Sequence, residues 1–94
     1  MKSEYLTLQT IFKIVKNDPH PETYLCSPRE IILSQFQDWD TIQQHLQLLE
    51  KEEYIIIKQL DKIAICITST GIAKAQSLLL QSHKSLSALS FSRA

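Results

Sequence analysis

Apolar residues recur along this chain with two different periods. From Leu8 the period is helical: Leu8, Ile11, Phe12 and Val15 stand at i, i+3, i+4 and i+7, which is one face of an amphipathic helix. Ser3 stands where a cap is wanted, and Lys13 and Lys16 fall in the last turn, where cations suit the helix dipole. Pro19 and Pro21 end this helix, because proline cannot continue it and holds its predecessor extended. Thr23 to Cys26 is β-prone and allows at most one small strand. Ser27-Pro28-Arg29-Glu30 then reads as a helix start, with Ser27 as N-cap, Pro28 in the first turn and Glu30 closing a capping box. Ile31, Ile32 and Phe36 form the apolar side of this second helix.

The break at Gln37 to Asp40 spans only a few residues. Asp38 or Asp40 can cap the third helix, which carries Ile42, Leu46 and Leu49 at i, i+4, i+7, with Leu48 widening the stripe, and runs to about Glu52. The period then changes to two. Ile55 and Ile57 alternate with Ile56. Ile63, Ile65 and Ile67 share one face of a second strand and Ala64 and Cys66 the other. The turn between these strands lacks an Asn-Gly or Asp-Gly signal, so the hairpin register stays open. If one face packs on the helices, Ile56, Ala64 and Cys66 need a cover from the last helix or from a partner subunit. Thr68-Ser69-Thr70-Gly71 restarts a helix with one of the three hydroxyl residues as cap. Ile72, Ala75, Leu79, Leu86 and Leu89 continue it at heptad-like spacing, with Leu78 beside them. Residues 1–82 read as one domain. The serine-rich residues 83–94 read as an extension of the last helix or a flexible tail.

Composition narrows the function more than the fold. The chain has 94 residues, 44% hydrophobic and 21% charged, which suits one small soluble domain. Its formal net charge of +0 counts against a non-specific nucleic-acid binder, since phosphate contacts supply most of that affinity. It leaves room for a sequence reader whose charges are segregated by face. Cys26 and Cys66 make no CxxC and no Cys/His pair at zinc spacing, so no metal site is expected. His20, His45 and His83 form no spaced cluster, and Gly71 is the single glycine, so there is no phosphate-cradling loop. No enzyme and no cofactor are expected. No apolar run resembles a signal peptide or spans a membrane, so the expected setting is cytoplasmic, with reduced thiols.

The element order is helix, short strand, helix, helix, two-strand hairpin, helix. Together with the phrases Leu48-Leu49-Glu50-Lys51-Glu52-Glu53-Tyr54-Ile55 and Thr68-Ser69-Thr70-Gly71, it resembles a winged helix-turn-helix domain. The resemblance is to bacterial transcriptional regulators of the multiple-antibiotic-resistance, phenolic-acid and arsenic-repressor types, and it covers roughly residues 4 to 80. It implies an α+β, mainly helical fold, with a hairpin wing at residues 55–67. In such regulators a Leu-Leu-Glu phrase ends the recognition helix and a glycine follows. Here Glu53 stands in the glycine's place, where a left-handed backbone would cost a non-glycine residue about 1 kcal/mol. The arsenic-type cysteine metal site is absent, and metal sensing is not carried over.

The resemblance implies double-stranded DNA as partner. The third helix, about residues 40–52, would enter the major groove with Thr41, Gln43, Gln44 and Gln47 outward, and glutamine can pair bidentately with adenine. Arg29, Lys58 and Lys62 would reach the phosphate backbone, with Lys2, Lys13 and Lys16 as further candidates. The alternative for each is an ordinary solvated side chain. Glu50, Glu52 and Glu53 are expected to lie away from the groove. Asp38 and Asp40 stand near the expected phosphates and would repel them. Trp39 is expected to anchor the core. Ile72, Ala75, Leu79, Leu86 and Leu89 are the candidate homodimer interface, the alternative being a helix folded back on its own domain. Cys26 and Cys66 would share a small sheet, as two buried thiols or as a redox switch. The leading function is sequence-specific DNA binding in transcriptional regulation. A winged-helix protein-interaction module without DNA binding is the alternative, and a small subunit of a larger nucleic-acid machine is a third reading.

Overall fold

The computed structural model describes residues 2–80. The expected elements lie along it in the expected order: α1 (Glu4–Val15), a 3-10 turn at Pro21–Thr23, α2 (Pro28–Gln35), α3 (Trp39–Lys51), β1 (Ile55–Gln59) and β2 (Ile63–Ile67), then α4 over residues 69–80. The domain boundary near residue 82, and Leu86 and Leu89, fall outside the described residues.

α1 and α3 form the spine. Leu8, Ile11 and Val15 of α1 and Ile42 and Leu49 of α3 are fully buried in one cluster, which Phe12 and Trp39 join from its border. Each fully buried side chain of this kind stabilises the fold by about 1.5–3 kcal/mol relative to exposure. Ser3 does not cap α1. Its backbone is already helical (φ −59°, ψ −37°) and its side chain makes no cap bond. The turn starts earlier, where the carbonyls of Lys2 and Ser3 accept from Tyr5 and Leu6.

α2 begins as its sequence signal requires. Ser27 Oγ accepts from the Glu30 N–H at 3.2 Å, and Glu30 Oε1 accepts from the Ser27 N–H at 3.1 Å, the reciprocal capping box. Its end differs from expectation. Phe36 does not extend the apolar side but sits beyond the helix in left-handed conformation (φ 57°), 92% exposed. Only Ile31 of this helix is fully buried, and Leu33 is 63% exposed. The tight turn into α3 needs a residue of positive φ at this point, and that backbone swings the ring outward. At the N-cap of α3 Asp38 is extended but makes no side-chain cap bond.

The hairpin register is Ile55↔Ile67, Ile57↔Ile65 and Gln59↔Ile63. The expected strand at Thr23 to Cys26 shrinks to one antiparallel bridge, Cys26↔Ile65, in which both backbone bonds form, at 2.9 and 2.8 Å. The 3-10 turn occupies the residues before it and Pro28 starts a helix after it, so little chain remains to pair. β2 is thus the central strand. Ala64, Ile65, Cys66 and Ile67 are all buried, the 3-10 turn packs on β2, and of Ile56, Ala64 and Cys66 just Ile56 stays half exposed. The cover comes largely from within the domain.

Glu53 adopts the left-handed conformation (φ 67°) that glycine ordinarily supplies. Its carbonyl accepts from the Thr68 hydroxyl at 2.8 Å, and Thr68 Oγ1 in turn caps α4 by accepting from the Gly71 N–H at 2.9 Å. Beside it the Tyr54 carbonyl accepts from the Thr68 N–H at 3.0 Å. A Cβ on Gly71 would stand 2.1 Å from that carbonyl oxygen, so glycine is required by close backbone approach and not by its dihedral angles. Gly71→Ala is expected to destabilise the fold by at least about 1–3 kcal/mol, whereas Glu53→Gly should be neutral or stabilising by up to about 1 kcal/mol. Urea unfolding of both variants checks the opposite signs.

Candidate nucleic-acid interface

Helical geometry divides α3 into two faces. Ile42, His45, Leu46 and Leu49 are buried. At 100° per residue, Asp40, Gln43, Gln44 and Gln47 (i, i+3, i+4, i+7) lie together on the opposite side, and all four are exposed. Thr41 is only half-buried at the margin of this stripe. Arg29 is exposed in the first turn of α2, and Lys58 and Lys62 are exposed at the end of β1 and in the wing turn. Lys13 and Lys16 are exposed on the last turn of α1 and just beyond it.

Behind the exposed face, three side chains tie the helices together. Gln35 Nε2, at the end of α2, donates to Thr7 Oγ1 of α1 at 2.7 Å, and Thr7 Oγ1 lies 2.7 Å from His45 Nδ1 of α3. The Thr7 hydroxyl, one donor with two acceptor lone pairs, can serve both neighbours at once. Gln35 Nε2 also reaches Gln37 Oε1 in the turn, and Gln35 Oε1 is buried without a partner among the described residues. This joint sets where α3 sits relative to α1 and α2. No local signal in the sequence marks it, because its members are 28 and 38 residues apart.

The acidic end of α3 is engaged rather than idle. Glu50 Oε2 accepts from the Ile57 N–H at 3.0 Å, so it holds the outer edge of β1 against the helix. It helps line a cleft of about 400 Å³ between α3 and the wing, with Trp39, Gln43 and Gln47 on the helix side and Ile57 and Ile63 on the wing side. Glu52 turns the other way. It accepts from the Tyr5 hydroxyl at 3.3 Å and stands 4.0 Å from the Lys2 ammonium. Burial, and then the Glu52 carboxylate beside it, push the Tyr5 hydroxyl up to about 12. The Lys74 ammonium lies 4.9 Å from the Tyr5 ring centre, and Tyr54 meets that ring edge-on at 6.2 Å.

At the start of α2, burial raises the Glu30 carboxyl, but hydrogen bonds from the Ser27 N–H, the Tyr24 hydroxyl and the Ser27 hydroxyl outweigh it and hold it below its ordinary value. The carboxylate is therefore spoken for by the cap, and the neighbouring Arg29 is exposed without a partner among the described residues. Cys26 and Cys66 are both free and buried. Burial, Glu30 and Cys66 push the Cys26 thiol up to about 12, which suits an unreactive packing residue. Among the described residues no group of His, Cys, Asp and Glu is placed to hold a metal ion, and no helix is long and apolar enough to cross a membrane.

No protein-family model matches the chain, and neither does any curated protein sequence. Solved structures do match. Bordetella bronchiseptica BpsR, whose DNA binding is described as regulated by 6-hydroxynicotinic acid, superposes with a TM-score of 0.69 at 11% identity, over 89% of this chain and 56% of that one. MepR, a transcription regulator of the Staphylococcus aureus multidrug efflux pump MepA, superposes with a TM-score of 0.65 at 15% identity, over 95% of this chain and 65% of that one. The fold is a winged helix-turn-helix. This winged helix spans 56–65% of the length of those two structures. α2 and α3 are its helix-turn-helix, and β1 and β2 are its wing. The Glu50 bond to the wing and the Thr7–Gln35–His45 joint are the parts of the site that sequence reasoning missed, whereas Trp39 packs against the core as expected. Asp40 was expected as a cap of α3 or a charge that repels phosphate; the N-cap position is Asp38, and the spacing of Asp40 from Gln43, Gln44 and Gln47 puts it on their face.

Thr7→Val keeps the shape of a fully buried residue but strands His45 Nδ1 and leaves Gln35 Nε2 with Gln37 Oε1 alone. The expected cost is about 1–3 kcal/mol per group left unsatisfied, read as a lower urea midpoint at unchanged slope. A midpoint equal to that of the parent protein would show that the joint contributes nothing.

Proposed function

We propose that this winged helix is a sequence-specific DNA-binding regulator of transcription. The observation that carries the reading is the exposed row Gln43, Gln44 and Gln47 on α3, held rigidly by the joint behind it and flanked by the wing. Support also comes from the two superposing regulators, one described as binding DNA. In this reading the N-terminal half of α3 enters the major groove, with Thr41 at its margin, and the glutamine amides pair with adenine edges. Arg29, Lys58 and Lys62 hold phosphates on either side and set the register without reading sequence.

The neutral charge makes a quantitative demand. Three phosphate contacts per subunit give a slope of log affinity against log salt of about −3, and a dimer about −5. Fluorescence anisotropy on a duplex enriched from a random pool should return a slope in that range. Gln43→Ala or Gln44→Ala should relax sequence preference at one position by about 5- to 150-fold, while Lys58→Ala and Lys62→Ala should weaken binding to all sequences alike. Absence of binding to any duplex at low salt would overturn the reading. It would favour the alternative of a protein-interaction module, for which Leu33 and the 92%-exposed Phe36 are the supporting observation.

Dimerisation through α4 belongs to the same proposal, on a smaller stripe than the spacing suggested. Ala75 is sealed in the core of its own domain, and Ile72 packs half-buried against it. Leu79 is 37% exposed and Leu80 is 61% exposed, so this end of the helix carries the candidate surface, continued in sequence by Leu86 and Leu89. Sedimentation at tens of micromolar should find a dimer that Leu79→Glu dissociates. A monomer in the parent protein would reject the dimer and leave DNA binding by single subunits untouched.

A further inference from the structure

We infer that Asp40 is a reading residue of α3, and that this helix recognises a cytosine followed within about two base-pair steps by adenine. The inference rests on the DNA-binding proposal and specifies the class of sequence bound.

Asp40 stands in the first turn of α3, just past the helix start. The N-cap position of α3 belongs to Asp38, and the Asp40 carboxylate has no hydrogen bond or ion pair among the described residues. It is exposed. It also begins the i, i+3, i+4, i+7 row that Gln43, Gln44 and Gln47 complete, so any surface that meets the glutamines meets this carboxylate first.

A carboxylate can only accept hydrogen bonds. In the major groove, cytosine N4 and adenine N6 are the donors, whereas guanine presents N7 and O6 and thymine presents O4 and a methyl group. Asp40 is therefore compatible with an amine-bearing base and opposed to guanine and thymine. Cytosine fits it better than adenine, since adenine pairs each N6 donor with an N7 acceptor that a carboxylate cannot satisfy. Glutamine has one donor and one acceptor end and suits that adenine edge. The first basic residue of α3 is Lys51, at its last position, so the commonest guanine contact, from Arg or Lys, is missing from the reading half. At 1.5 Å rise per residue, Asp40 and Gln44 stand about 6 Å apart along the helix, or about two base-pair steps of 3.4 Å. The competing explanation is that Asp40 merely suits the positive end of the helix dipole, in which case it would only repel phosphates.

The test is selection of binding sites from a random duplex pool by the full chain and by Asp40→Ala and Asp40→Asn, followed by anisotropy on the selected duplexes. The parent protein should enrich cytosine at one position beside adenine. Asp40→Ala should flatten that position alone, with a loss of discrimination of about 5- to 150-fold. Asp40→Asn should move its preference towards adenine, because asparagine pairs bidentately with that base. If Asp40→Ala instead selects an unchanged sequence and binds every duplex more tightly by one common factor, Asp40 is only a repelling charge. The inference then falls while the DNA-binding proposal stands. A parent protein that enriches no sequence overturns both.

Discussion

The backbone of Tyr54 is the constraint on which the wing depends. Its carbonyl accepts from the Thr68 N–H, and it occupies the space that a side chain at Gly71 would fill. Four segments meet there: the exit from α3, the start of β1, the end of β2 and the first turn of α4. With both ends of the hairpin held at one point, the Ile55↔Ile67 pair closes next to it and the rest of the register follows. A one-residue slip would move every isoleucine to the other face. Thr68 completes the arrangement, since a single hydroxyl both caps α4 and supports the left-handed Glu53 carbonyl. The strain of a non-glycine residue at positive φ is thus offset by a contact made fifteen residues away in sequence.

A second constraint positions the helix-turn-helix. α1 backs both of its helices, through buried leucine and isoleucine for α3 and through Thr7 for the polar joint. Apolar packing alone tolerates sliding, because hydrophobic contact is non-directional. A hydroxyl placed between an imidazole and an amide is directional, and it admits few relative placements of three helices. The outer face of α3 is left to solvent because the polar residues that orient the helix are turned inward.

The acidic end of α3 shows how a charge pattern can mislead when read alone. Three glutamates in four positions look like a solvated terminus. Each has a specific place instead. Glu50 satisfies an edge N–H of the wing, Glu52 binds Tyr5 of α1, and Glu53 turns the chain. Two of the three carboxylates act as hydrogen-bond acceptors within the domain, and the wing is fastened to α3 by one of them.

Much of the architecture was legible in the chain itself. Periods of 3.6 and 2 located the three complete helices and the hairpin, and Ser27-Pro28-Arg29-Glu30 located the start of α2, because these signals arise from bonds and faces within a few residues. Gln43, Gln44 and Gln47 were placed outward for the same reason. Phe36 was not legible, since its exposure follows from a left-handed turn that no local residue announces. Nor was the collapse of the Thr23 to Cys26 strand to one bridge, which depends on what the neighbouring turn and helix leave unpaired. The division of the α4 stripe, with Ala75 inside and Leu79 outside, was hidden because helical spacing defines a face but not what the face meets. The sequence determined where helices and strands form, because local backbone and side-chain forces decide that. Which polar groups meet across 28 to 47 residues of chain, and hence how the exposed face of α3 is aimed, only the tertiary structure decided, because those partners come together through packing.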